Sequence, residues 1–120
     1  MNFHGIENEK VIFQDEGTIL IECLVPAESD FFDGHFPEFK LLPAVGQFAI
    51  VTRFAQKYFG AGEFVPSVKR MKFSSPVLPG SCVRLELHFD RKKESVSFAL
   101  TNAKDENTVY SSGLFCVALK

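Results

Sequence analysis

Between Pro43 and Tyr58 lies the one long helical pattern of the chain, and it is apolar on nearly every side. Val45, Phe48, Ala49, Thr52, Ala55 and Phe59 make one stripe at helical spacing, while Ile50, Val51 and Phe54 carry it further round the cylinder. A helix of this kind has to be covered by the rest of the fold. Pro43 suits a first helical turn, where its missing N–H removes no hydrogen bond, and Gly60 is placed to cap the other end.

The remaining periodic segments alternate every second residue, the mark of half-buried strands. Thr18 to Val25 sets Ile19, Ile21, Cys23 and Val25 on one face and Leu20, Glu22 and Leu24 on the other. A shorter strand over Lys10 to Gln14 pairs with it across the turn Asp15-Glu16-Gly17. After Gly60, strands are expected over Val65 to Phe73, Ser81 to Phe89, Ser95 to Asn102 and Thr108 to Leu119. Ser81 to Phe89 is the cleanest, with Val83, Leu85, Leu87 and Phe89 inward and Arg84, Glu86 and His88 outward. Asp105-Glu106-Asn107 joins the last two as a hairpin. The order is a strand pair, one buried helix and four antiparallel strands. A sheet wrapped round one helix satisfies it, an α+β fold over residues 1–120 as one domain.

Composition narrows the chemistry. A net charge of −2 gives no basic face for non-specific nucleic-acid binding. No apolar run approaches the roughly 18 residues of a membrane helix, and Met1 to Lys10 lacks the apolar core of a secretory leader. Cys23, Cys82 and Cys116 are too scattered for a zinc motif, and their odd count suits reduced thiols in a cytoplasmic protein. Nothing in the spacing of His, Cys, Asp and Glu calls for a metal or other cofactor.

The chemistry gathers just before the helix. Phe31-Phe32-Asp33-Gly34-His35-Phe36-Pro37 places an imidazole in a loop beside a helix N-terminus, whose positive dipole end and unpaired N–H groups suit a carbonyl oxygen.

Three segments resemble the hotdog-fold 3-hydroxyacyl-[acyl-carrier-protein] dehydratases of type II fatty-acid synthesis. The Phe-x-Gly-His-Phe-Pro motif stands as Phe32 to Pro37. The proline opening the family's central helix stands in Leu41-Leu42-Pro43-Ala44-Val45. The family's Lys-Phe-x-x-Pro-Val-x-Pro-Gly is Lys72-Phe73-Ser74-Ser75-Pro76-Val77-Leu78-Pro79-Gly80. With the strand order, the likeness spans Phe13 to Leu119, and the Leu-Leu-Pro-x-Val-x-Gln pattern is closest to small dehydratase-like proteins of aryl-polyene pathways.

That resemblance implies a hotdog homodimer with two tunnels at its interface. It makes His35 the base that takes the α-proton of a 3-hydroxyacyl thioester, and the backbone N–H groups of Ala44 and Val45 the donors that polarise the thioester carbonyl. Both are what proton abstraction next to a carbonyl requires. Phe32, Phe36 and Phe73 would line the acyl tunnel, with Gly34 and Pro43 shaping the approach. The carrier would be acyl carrier protein or coenzyme A, and Lys69, Arg70, Lys72, Arg91, Lys92 and Lys93 would meet the acidic carrier or its phosphate. Solvated strand ends account for those cations equally well.

The match departs at the helix. The family's acid, which comes from the other subunit, lies fourteen residues after the histidine, where this chain has Ala49. Ala44 replaces the usual glycine, and Arg53 replaces a glutamine one turn beyond position 49. Arg53 is then either a ligand contact or a side chain that reaches solvent or bridges two subunits. A methyl group cannot protonate a leaving hydroxyl, and general acid–base help is worth roughly 10²–10⁴-fold. Gln47 sits about 200° round the helix from position 49 by the helical repeat, and Asp33 and Glu38 flank the histidine motif as other stand-ins. A heterodimer whose second chain carries the acid is a further solution. Three functions remain: a dehydratase with His35 as base, a thioesterase on the same fold, and a non-catalytic acyl-thioester-binding subunit. The structural alternative for His35 is a loop histidine that only holds its turn, and His4 and His88 are read as structural.

Overall fold

The computed structural model describes residues 6–25, 44–60, 67–78, 80–105 and 107–118. Within them the order is β1 (Glu7–Gln14), β2 (Thr18–Val25), α1 (Ala44–Phe59), β3 (Val68–Phe73), β4 (Ser81–Asp90), β5 (Ser95–Asn102) and β6 (Val109–Cys116). The strands form one antiparallel sheet in the order β1-β2-β4-β5-β6-β3. This is the expected arrangement of a strand pair, one helix and four more strands.

Register follows from which residues must leave water. Ile19 lies opposite Leu87, Ile21 opposite Leu85 and Cys23 opposite Val83, and the rows continue as Leu85–Leu100 and Leu87–Phe98. All are buried. A slip of one residue would turn these rows to solvent, so burial pins the pairing. The opposite face carries the polar alternates, among them the Arg84–Glu22 ion pair, with Nε and Nη2 of Arg84 at 3.0 and 2.5 Å from Glu22 Oε2.

The helix lies over the inner face. Phe48 meets Phe115 edge-on at 5.2 Å between ring centres and Phe98 at 6.4 Å, while Phe59 stacks on Phe89 at 5.1 Å. Aromatic pairs of this kind add to the area they bury. Lys57 stands in the last turn, on the negative end of the dipole, and Gly60 follows at φ +70°, a left-handed cap.

The buried face of α1 differs from the expected stripe. Gln47, Ile50, Val51, Phe54 and Ala55 are the fully buried positions, whereas Ala49, Thr52, Arg53 and Gln56 are half-buried on the other side. With apolar residues on both sides, periodicity alone did not fix the rotation. The polar Gln47 takes a core position because its amide finds a partner there.

Strand ends also moved. β1 starts at Glu7 rather than Lys10 and carries two register shifts, between Glu7 and Lys10 and between Val11 and Phe13, with Asn8 at φ +57°. Bulges are a usual way to spoil an edge for further pairing. β6 is shorter than Thr108 to Leu119. Thr108 belongs to the turn, its N–H donating to Asp105 O (3.0 Å) and its hydroxyl to Asp105 Oδ2 (2.9 Å), and the Val117 N–H leaves the ladder for Glu94 O. β3 begins at Val68, and residues 65 and 66 of the expected strand lie outside the described residues. One carboxylate ties the β1 edge to the end of the helix: Glu9 accepts from Lys57 Nζ at 2.7 Å and from the Tyr58 hydroxyl.

Gly113 is where β3 and β5 crowd β6. A Cβ there would lie 2.5 Å from Arg70 O, 2.8 Å from Met71 Sδ and 3.1 Å from Phe98 Cε1. Replacing Gly113 with Ala is expected to cost about 1–3 kcal/mol through forced separation of the strands. Gly60→Ala, with nothing within 4 Å of its Cβ, meets only the left-handed backbone penalty of roughly 1 kcal/mol. Urea denaturation of the two variants checks the order; equal midpoints would mean that β3 gives way freely.

Candidate active site

Two of the three sequence motifs meet at the start of α1. Ala44 and Val45 are its first two residues, and the first N–H groups of a helix have no partner within it. No acid stands in this turn. The Lys72–Gly80 motif runs from the end of β3 to the start of β4. The Ser74 and Ser75 N–H groups both donate to Tyr110 O, at 2.9 and 3.3 Å. Val77 is fully buried. Gly80 sits at φ +80° while Ser81 N–H donates to Leu78 O at 3.2 Å, the pattern of a type II turn whose third position favours glycine. The Gly80 N–H then donates to Val25 O at 2.8 Å, fastening the turn to β2.

Gln47 links the two. Its side chain is 1% exposed, and Nε2 donates to Ser75 O at 2.8 Å. Sequence reasoning weighed Gln47 only as a substitute acid and missed this role. The available signal was a carboxamide three and four residues before Ile50 and Val51, on their face of the helix.

The other expected residues fall as follows. His35, Phe32, Gly34, Phe36 and Pro43 lie outside the described residues, as do Asp33, Glu38 and His4. Arg53 is half-buried one turn from the half-buried Ala49. Phe73 ends the edge strand β3 and is 39% exposed. Lys69, Arg70 and Lys72 are exposed along β3, and Arg91, Lys92 and Lys93 are exposed in the β4–β5 turn. His88 is on the outer face, Nδ1 at 3.0 Å from Thr18 Oγ1 and Nε2 against Glu86, as its outward alternation implied. A cavity of about 300 Å³ opens beside it among Asp90, Lys93, Ser95 and Ser97, and one of about 130 Å³ lies beside Cys23 and Cys82. Neither is lined by α1 or by the Lys72–Gly80 segment.

A scan against protein-family models matches residues 11–114 to the ApeI-like family, described as ApeI dehydratase. The chain belongs to the ApeI-like dehydratase family. Among curated proteins it is similar to the 3-hydroxyacyl-[acyl-carrier-protein] dehydratase FabZ of Clostridium perfringens, 26% identical over 120 residues, covering 92% of this chain and 85% of the relative. The corresponding enzyme of Roseiflexus castenholzii is 30% identical over 108 residues, covering 82% and 73%. Among solved structures, the dehydratase heterocomplex ApeI:P from Xenorhabdus doucetiae aligns with a TM-score of 0.76 and 27% identity over 92% of this chain and 98% of that one. The dehydratase domain of the CurF module of curacin polyketide synthase, at 14% identity and TM-score 0.67 over 99% of this chain and 46% of that one, shows the shared fold. The fold is the hotdog fold expected from the motifs.

One thiol, Cys23, and one phenol, Tyr58, feel both burial and the charge of Glu9. Burial, then the nearby Glu9 and Cys82, raises the Cys23 thiol from 9.0 to about 12. Burial, then the hydrogen bond to Glu9 and its charge, also raises the Tyr58 phenol. Both groups hold their protons more tightly when folded. Stability is therefore intact below pH 9 and declines as pH rises from 9.0 toward about 12. Denaturation measured at about pH 8 and about pH 10.5 should show this decline, and Cys23→Ala should make it shallower. An unchanged slope in the variant would mean that Cys23 contributes nothing to it.

Proposed function

We propose that this chain is the histidine-bearing subunit of a 3-hydroxyacyl-thioester dehydratase, with His35 as the base. The observation that carries the reading is the α1 N-terminus clamped against the Lys72–Gly80 motif in a chain of the ApeI-like dehydratase family. In this reading the thioester carbonyl sits at the Ala44 and Val45 N–H groups, which stabilise charge developing on oxygen as His35 removes the α-proton. The C3–O bond then breaks, the hydroxyl leaves with a proton as water, and a trans-2-enoyl thioester remains. Phe32, Phe36 and Phe73 flank the acyl chain, with Gly34 and Pro43 at its entrance and Arg53 near the departing oxygen.

The proton for the departing hydroxyl has no donor on α1. Residues 44–59 contain no Asp or Glu, and the half-buried face bears Ala49, Thr52, Arg53 and Gln56. We therefore infer an assembly of two chains in which the partner's helix supplies the carboxylate. That the similar ApeI:P is a heterocomplex supports this over a homodimer. The same absence favours a second reading, an acyl-thioester-binding subunit without turnover of its own. A thioesterase on this fold would need a carboxylate or a positioned water as well. The acyl carrier protein in the names of the FabZ relatives and the exposed cations of β3 and the β4–β5 turn support an acidic carrier over free coenzyme A. Such a carrier would place the chain in the cytoplasm; among the described residues no helix is long and apolar enough to cross a membrane.

The test is hydration and dehydration of trans-2-enoyl and 3-hydroxyacyl thioesters on carrier protein. His35→Ala is expected to lose roughly 10²–10⁴-fold of the turnover, and Ala49→Glu to raise turnover of the chain assayed alone. Unchanged turnover in His35→Ala would refute the base assignment. Binding without turnover would favour the second reading.

A further inference from the structure

The buried carboxamide of Gln47 is the one polar group that α1 presents to the core from its first turn. It stands on the face of Ile50, Val51, Phe54 and Ala55, all within 1% of full burial. An apolar side chain would fill that place without the cost of desolvating an amide. The hydrogen bond it makes therefore calls for an explanation other than packing. Its acceptor, Ser75 O, belongs to a residue whose own N–H donates to Tyr110 O at 3.3 Å. The Tyr110 hydroxyl in turn accepts from Asn102 Nδ2 at 2.9 Å. Hydrogen bonds thus link the first turn of the helix to the Lys72–Gly80 motif and the motif to Tyr110 of β6, whose side chain is held in turn by β5.

We propose that Gln47 is the positioning residue of the site, holding the N–H groups at the start of α1 in the orientation that receives the thioester carbonyl. This rests on the reading of that helix start given above. The apolar contacts of Phe48 with Phe98 and Phe115 hold the helix down but leave it free to turn or slide a little, because such contacts are not directional. A hydrogen bond is directional, and misplacing reacting groups by 1 Å can cost about 10²-fold in rate. The chemistry also explains the residue type. Ser75 O is an acceptor, so the residue at 47 must donate; a glutamate there would set oxygen against oxygen unless protonated.

The experiment compares Gln47→Leu, Gln47→Glu and Ser111→Ala with the unaltered protein in the thioester assay. Ser111 is a control in the same region: it is fully buried opposite Phe73, and its hydroxyl has no hydrogen-bond partner among the described residues. Gln47→Leu is expected to stay folded and to lose about tenfold or more in kcat, with a smaller change in KM, since the carbonyl is gripped most tightly in the transition state. Gln47→Glu is expected to be equally impaired at about pH 8 and to recover as the pH falls, because a buried carboxyl has a raised pKa and donates once protonated. Ser111→Ala should match the unaltered protein.

Unchanged kcat in folded Gln47→Leu would overturn the proposal, as would a pH profile of Gln47→Glu parallel to that of Gln47→Leu. If the unaltered protein binds but does not turn over, the dehydratase reading fails separately. The proposal is then read from affinity for an acyl-pantetheine amide, which keeps the carbonyl. A fivefold or greater weakening by Gln47→Leu would uphold it, and equal affinity would overturn it. If the unaltered protein neither turns over the thioester nor binds the amide, the helix start is not a carbonyl site and the proposal falls with it.

Discussion

Everything in this fold depends on one helix being covered by one sheet. Ile50, Val51, Phe54 and Ala55 leave water only because Ile19, Ile21, Leu85, Leu87, Leu100 and Phe115 present a continuous inner surface. That burial fixes the strand register and the distance at which the helix lies. It also carries the helix's N-terminal amides to a defined place beside the Lys72–Gly80 segment. At this level the site is a by-product of core formation. Burial sets where the helix lies, and a small number of directional bonds set how it is turned.

Electrostatics adds a second constraint. The last turn suits the helix dipole, with Lys57 at the negative end, held by Glu9, while the first turn contains no acid. A first turn without carboxylates suits the positive end to a carbonyl or another electron-rich group. Further along, the half-buried face bears Ala49 where the family's pattern has an acid.

The strands and the helix were legible in the sequence because alternation and turn residues agree locally. Ile19, Ile21, Cys23 and Val25 alternate cleanly, and Gly60 and Gly80 mark a cap and a turn where the backbone takes positive φ. The motifs disclosed the family before any coordinates. The rotation of α1 was not legible, because apolar residues on both sides satisfy more than one stripe. The side that faces inward is set by contacts between residues distant in sequence, among them the bond from Gln47 to Ser75. The Glu9–Lys57–Tyr58 contact was hidden for the same reason. The β1 bulges leave no pattern that alternation reveals. The histidine motif was plain in the sequence, yet its residues lie outside those described, so its link to the helix start remains the argument of chemistry given above.

The strand that follows the helix does not pair with its neighbours in the chain. β3 lies at the far edge beside β6, the last strand in order, and Ser74 and Ser75 bond to Tyr110 within it. As the polypeptide leaves the ribosome, β3 therefore has no strand partner until residues 109–116 have emerged. The β1–β2 hairpin forms early from local contacts, whereas the clamp on the helix start waits for the whole sheet. Truncation of the final strand would remove the Tyr110 carbonyl that holds Ser74 and Ser75 as well as a share of the core, so a chain cut short there loses the clamp and the packing together.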